Sequence, residues 1–214
     1  STTTTITVTQ PNALTATISN STNVSCNGGN NGSALVGVTG GTGNYSYSWN
    51  TNPVQTTAAA NNLIAGNYSV TVTDINGCSA TASVTITQPT LLSAGASELT
   101  PVACNGGNAV VSVTATGGTL PYVGIGNYSV TAGTYTYTIT DANGCIATTN
   151  ILVTEPAILT ANSVLTVPVF CNGGTATVTV SATGGTAPYT GTGTYTVTAG
   201  TYSYTVTDAN GCSS

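Results

Sequence analysis

Three short motifs recur along the chain in one order and one register, and this regularity limits the possible folds more than any other feature. Cys-Asn-Gly-Gly occurs at Cys26–Gly29, Cys104–Gly107 and Cys171–Gly174. Asp-x-Asn-Gly-Cys occurs at Asp74–Cys78, Asp141–Cys145 and Asp208–Cys212. Thr-(Gln/Glu)-Pro occurs at Thr9–Pro11, Thr87–Pro89 and Thr154–Pro156. Cys26 to Cys104 and Pro11 to Pro89 are each 78 residues apart; Cys104 to Cys171, Cys78 to Cys145 and Pro89 to Pro156 are each 67. Such self-similarity marks tandem modules. The boundaries follow from the prolines: module one at 12–89, module two at 90–156 and module three at 157–214. Residues 1–11 align with Ser79–Pro89 and read as the last strand of a preceding module, or as a donor strand. Module three lacks that strand after Cys212. A continuous array explains the two ends most simply, and donation of Ser1–Gln10 to a second subunit is the alternative.

Between the motifs the chain alternates apolar and polar residues, as in Thr134–Thr140, and no segment has helical periodicity. Aligned strands place Tyr68, Val70 and Val72, then Tyr135, Tyr137 and Ile139, then Tyr202, Tyr204 and Val206 on one face each, opposite Ser, Thr and Asn. Asn-Gly at Asn76, Asn143 and Asn210 marks a hairpin, since both residues tolerate positive φ. Short strands at this spacing predict an all-β chain of small immunoglobulin-like β-sandwich modules, arranged end to end as a rod. Module one is longer than the others, and its extra residues around Asn50–Asn62 predict an added strand or a longer loop.

Composition narrows the function. The chain has no Lys, Arg or His and only five acids, Asp74, Glu98, Asp141, Glu155 and Asp208. Without cations it has no counter-charge for phosphate, so neither nucleic-acid binding nor attraction to anionic lipid is expected. Without His or Lys, the usual nucleophile–base pairs cannot be assembled, and an enzyme is not expected. No apolar run is long enough for a spanning helix, so no insertion into a lipid bilayer is expected by that route. An outer-membrane barrel would share the alternation but not the regular cysteines or the 67-residue repeat.

Six cysteines at regular positions point to an oxidising compartment and one disulfide per module: Cys26–Cys78, Cys104–Cys145 and Cys171–Cys212. Metal chemistry is not expected at these cysteines, because each Cys-Asn-Gly-Gly has one thiol and no His. No cofactor is expected; calcium at the module joints, held by Glu155 or Glu98, is the one ion the acids could serve. Tyr45, Tyr47 and Trp49 share a strand face, either as core or as an exposed aromatic platform for a sugar.

Cys-Asn-Gly-Gly together with Gly-Gly-Thr-x-Pro-Tyr (Gly184–Tyr189), Ala-Gly-Thr-Tyr (Ala199–Tyr202), Asp-Ala-Asn-Gly-Cys (Asp208–Cys212) and Val-Thr-Glu-Pro (Val153–Pro156) resembles the SprB repeat family. Those repeats belong to very large surface adhesins of gliding Bacteroidota-type bacteria. The resemblance implies secretion to the cell surface, a β-sandwich module and a role in adhesion or gliding motility. The expectation is a structural or adhesive extracellular repeat protein forming a stalk or filament. Its partners would be itself or further repeats of a long chain, head to tail. The alternative is an adhesin module whose binding face for surface glycans lies on module one.

Overall fold

Alternation with period two gives strands throughout, and the computed structural model, which describes residues 1–214, contains fourteen of them and no helix. They fall into two compact units, neither a continuous stretch of sequence. One comprises residues 1–93, 116–122 and 140–146; the other comprises 94–115, 123–139 and 147–214.

In the first unit, β1 (Thr15–Thr22), β2 (Gly32–Thr39) and β4 (Ala59–Leu63) form one antiparallel sheet in the order β1-β2-β4. β3 (Ser46–Trp49), β5 (Gly66–Thr73) and β6 (Ser79–Ile86) form the other, in the order β3-β5-β6. Inward residues of both sheets make the core: Val24, Ala34, Val36, Trp49, Ala60, Leu63, Val70, Val72 and Ile86. This is the two-sheet sandwich that the pattern predicts. The polar partners of each alternation, such as Ser83 and Thr85 on β6, lie on the outer face, where they replace charge as the solubilising surface.

The second unit repeats the plan. β7 (Ser93–Thr100), β8 (Ala109–Thr116) and β9 (Gly126–Val130) form a sheet in that order, and β10 (Gly133–Thr140) pairs with β11 (Ile146–Val153). β12 (Thr160–Val167), β13 (Ala176–Thr183) and β14 (Gly193–Val197) form a further three-stranded sheet. Ala109, Val111, Val113, Ile139 and Val153 are buried here, as are Val180 and Val206. Each aligned apolar triple ends on a buried residue, Val72, Ile139 or Val206, whereas the tyrosines before it are only half-buried, and Tyr202 is exposed.

The extra residues of module one have a different outcome from an added strand at Asn50–Asn62. β4 overlaps the end of that stretch, yet β9 and β14 occupy the same place in the other modules. What is longer is β3, which pairs with β5 from Ser46↔Thr73 to Trp49↔Val70. In module three that edge shrinks to a single bridge, Thr190↔Thr207. The inserted loop serves β3 directly. Trp49 donates its backbone N–H to Gln55 O at 3.0 Å and its indole N–H to Thr57 O at 3.0 Å.

Ser1–Gln10 forms no strand, and Ile6 and Val8 are exposed.

Candidate functional site at the joints between repeats

The three Asp-x-Asn-Gly-Cys segments fold identically. Asp74 N donates to Cys78 O at 2.9 Å and Gly77 N to Asp74 O at 3.0 Å, with Gly77 at φ 85°. The same pair of bonds closes Asp141–Cys145 and Asp208–Cys212. Only the glycine takes positive φ; the asparagine does not. The loop is therefore a type I turn closed by a left-handed glycine, not the Asn-Gly turn with both residues left-handed that the sequence suggests.

The aspartate holds this turn from inside. Asp141 Oδ1 accepts the N–H of Asn143 and of Cys145, each at 2.9 Å, and Oδ2 accepts Thr119 N at 2.9 Å. Asp74 and Asp208 do the same with the equivalent residues, and all three are buried. Desolvation raises the Asp141 pKa, but the N–H groups of Thr119, Cys145, Asn143 and Gly144 outweigh it, so the carboxyl lies below its ordinary value. Asp74 and Asp208 are lowered by the same balance, with the Thr42 hydroxyl contributing at Asp74. Donors converging on both oxygens leave a carboxylate that suits N–H groups and not a cation. Glu155, one of the two acids expected to serve calcium at the joints, accepts Gly106 N at 2.6 Å, and the other, Glu98, is exposed.

A folded-state pKa below the unfolded one contributes stability that is present above the ordinary carboxylate range and lost as pH falls through the lowered value. Stability should thus be level from neutrality down to about pH 4 and decline below it. Asp141→Asn, which places an amide N–H₂ among N–H donors, should lower the thermal midpoint at about pH 7 far more than at about pH 2. Circular dichroism melts at both values check this; an equal decrement at each would contradict it.

Cys-Asn-Gly-Gly is the second turn. Gly29 N donates to Cys26 O at 3.0 Å, with Gly28 left-handed at φ 74°. The Gln-Pro joint that ends the same module fastens it. Asn27 Nδ2 donates to Pro89 O at 3.0 Å and Gly28 N donates to Gln88 Oε1 at 2.7 Å. In module two Asn105 Nδ2 donates to Pro156 O, and Gly106 N reaches Glu155 as described. The Gln/Glu of the joint is therefore a turn-binding residue, a role the motif spacing alone did not disclose.

These two kinds of turn meet, but across modules. Cys26 is bonded to Cys145 and Cys104 to Cys212, each pair with Cα atoms 5.7 Å apart. Cys78 and Cys171 are free and exposed. The intramodular pairs Cys26–Cys78, Cys104–Cys145 and Cys171–Cys212 therefore do not form. The reason is strand length. Val24 N donates to Thr87 O, so the Cys26 turn lies at the far end of β6, while Cys78 precedes its first residue. An eight-residue strand separates the two by about 25 Å, against the roughly 7 Å limit for a disulfide. The next module's turn is the one within reach. Asn143 Nδ2 donates to Ser25 O at 2.9 Å beside the first disulfide, and Asn210 Nδ2 to Ala103 O at 2.9 Å beside the second.

The aromatic trio is not a platform. Trp49 is 1% exposed in the core, Tyr47 packs against that core, and Tyr45 is half-buried with its hydroxyl donating to Gly40 O at 2.6 Å. That last bond also recurs, from Tyr122 to Gly117 O and from Tyr189 to Gly184 O, so it is a fixture of the fold.

Among solved structures, the chain is similar to the four N-terminal immunoglobulin domains of Dscam1 isoform 6.44. Identity there is 14%, covering 65% of this chain and 42% of that one, with a TM-score of 0.26. It is also similar to a tetra-tandem repeat in the extending region of a large adhesion protein, at 15% identity, 94% and 64% coverage and a TM-score of 0.26. Domains 4–9 of the surface layer protein SbsC match at 16% identity, 81% and 36% coverage and a TM-score of 0.26. The chain spans under two thirds of the length of each of these. No curated protein matches it in sequence. The model of the SprB repeat family matches residues 18–54 and 163–190, two stretches that include the Cys26–Gly29 and Cys171–Gly174 turns. Over those two stretches, in modules one and three, the sequence is similar to a SprB repeat.

Proposed function

We propose that this chain is extracellular structural material: a run of adhesin-type repeats that builds a stalk or filament at a bacterial cell surface. The observation that carries the reading is the pairing of Cys26 with Cys145 and of Cys104 with Cys212, which ties each repeat to its successor. Such bonds persist in an oxidising compartment and brace an array, and they create no site for a substrate. The SprB match supports the same setting. A glycan-binding face on module one draws no support from Trp49, which is buried.

Immunogold labelling with antibody raised against the 214-residue chain tests the proposal. Label should decorate filaments on intact, unpermeabilised cells and disappear after brief surface proteolysis. Label seen only inside permeabilised cells would overturn it.

A further inference from the structure

We infer that module one carries a binding site for a neutral oligosaccharide, walled by the inserted loop that the shorter modules lack. The inference goes beyond the structural role proposed above and does not depend on it.

Two depressions share Asn50 and Tyr68 as lining. The smaller, of about 290 Å³, is completed by Asn67, Ser69, Ser83 and Thr85 from β5 and β6. The larger, of about 500 Å³, is completed by Asn52, Pro53, Asn61 and Asn62 from the loop and β4. Every lining residue falls between Asn50 and Thr85, within module one and away from both ends of the chain.

The tyrosine is common to all three modules, but the wall is not. Tyr68 donates its hydroxyl to Ile64 O at 3.1 Å. Tyr135 and Tyr202 make the same bond four residues back, to Thr131 O and Thr198 O. What module one adds is the loop beside that tyrosine.

The loop is braced by its own side chains. Asn50 Oδ1 accepts Ser69 N at 2.8 Å while Asn50 N donates to Ser69 O at 3.0 Å, which pins the loop to β5. Gln55 spends its amide on the backbone of Asn61, accepting the N–H at 2.8 Å and donating to the C=O at 2.9 Å. Thr51 Oγ1 accepts Gln55 N and donates to Pro53 O. Asn61 enters this frame through its backbone, and Asn52, Asn61 and Asn62 are exposed. Asn62 holds a left-handed backbone at φ 56°, which asparagine tolerates better than most residues. A wall fixed in advance leaves less ordering to be done when a ligand binds.

The chemistry of the lining selects the ligand. Each carboxamide offers an acceptor and two donors, which neighbouring sugar hydroxyls can answer in both senses. The tyrosine adds an apolar ring surface suited to the C–H face of a pyranose. With no Lys, Arg or His in the chain, an acidic sugar finds no counter-charge here. Asp74, the one acid of module one, is committed to its turn. The fitting ligand is therefore uncharged and rich in hydroxyls.

The test applies the whole chain to a printed array of neutral oligosaccharides of glucose, mannose, galactose and N-acetylglucosamine, with sialylated, sulfated and uronic acid glycans beside them. Wild type should retain neutral members over acidic ones. Calorimetric titration with the best neutral member should then show Asn61→Ala/Asn62→Gly weakening binding by at least about tenfold with the thermal midpoint unchanged. Glycine suits the left-handed position, and Asn61→Ala alone leaves both backbone bonds to Gln55 in place. That single variant should weaken binding in the same direction even if the double variant folds poorly. Asn127→Ala, which removes an exposed amide from β9, should bind as wild type does. An array with no neutral member retained would overturn the inference, as would a preference for acidic glycans. Equal binding by wild type and Asn61→Ala/Asn62→Gly would also overturn it. None of these results bears on the surface labelling, so the two proposals stand or fall separately.

Discussion

Cys145→Ser should cost the chain about 4–5 kcal/mol of stability, and Cys78→Ser almost nothing. The first bond closes a loop of 119 residues and the second one of 108, and cross-linking loops of about 100 residues withdraws about 4.7 kcal/mol of entropy from the unfolded state on the chain-entropy account. Reducing both bonds should lower stability further, by less than twice that amount, because the two loops overlap between Cys104 and Cys145. Urea unfolding followed by circular dichroism, with and without reductant, measures it. The contrast between the variants is the sharper part. Were each module stapled internally, Cys78→Ser would be as damaging as Cys26→Ser. Equal losses for the two would return the disulfides to their modules and remove the joint described above.

Trp49→Ala should destabilise the first unit by about 3–5 kcal/mol, the usual cost of emptying a buried aromatic site. Trp49 is the only tryptophan of the chain and sits opposite Val70 on β5. Its indole N–H is satisfied by Thr57 O, so truncation also strands that carbonyl and loosens the inserted loop. β3 is only four residues long, and Trp49 is its one fully buried residue, with Tyr47 packed beside it. The measurement is a urea titration of the variant, followed by circular dichroism. A loss under about 1 kcal/mol would mean the ring is not the packed element its burial indicates.

Much of this architecture is legible in the sequence because it depends on local periodicity. Val70, Val72, Ile139 and Val206 are assigned to the core by alternation alone, and Asp74, Asp141 and Asp208 to stabilised turns by the residues that follow them. The joints are different. A repeat register is satisfied equally by bonding Cys26 to Cys78 or to its equivalent one repeat on, since both pairings advance uniformly along the chain. What separates them is the eight-residue length of β6 and β11, which sets opposite ends of a module apart. That quantity could have been estimated from the interval between Cys78 and Pro89, and it is the signal that would have found the observed pairing. The aromatic trio shows a further limit. Tyr45, Tyr47 and Trp49 alternate as an outward face or an inward one would, and only the β1-β2-β4 sheet, which shares a core with Trp49, selects between the two.

The crossed bonds also decide how a pull would travel along the molecule. From Cys26, the shortest covalent route to Cys212 crosses to Cys145, runs backwards to Cys104 and crosses again. Only the stretch between Cys104 and Cys145 carries the tension, in the reverse sense to the polypeptide. Residues between Cys26 and Cys104, and between Cys145 and Cys212, hang off the line of force. With each residue reaching at most about 3.5 Å, the oxidised chain can be drawn out to roughly a third of the length of the reduced one, even with every strand undone. A single cut in the Gln88-Pro89 joint would leave that tether whole, so the covalent strand that bears load is not the one the ribosome made.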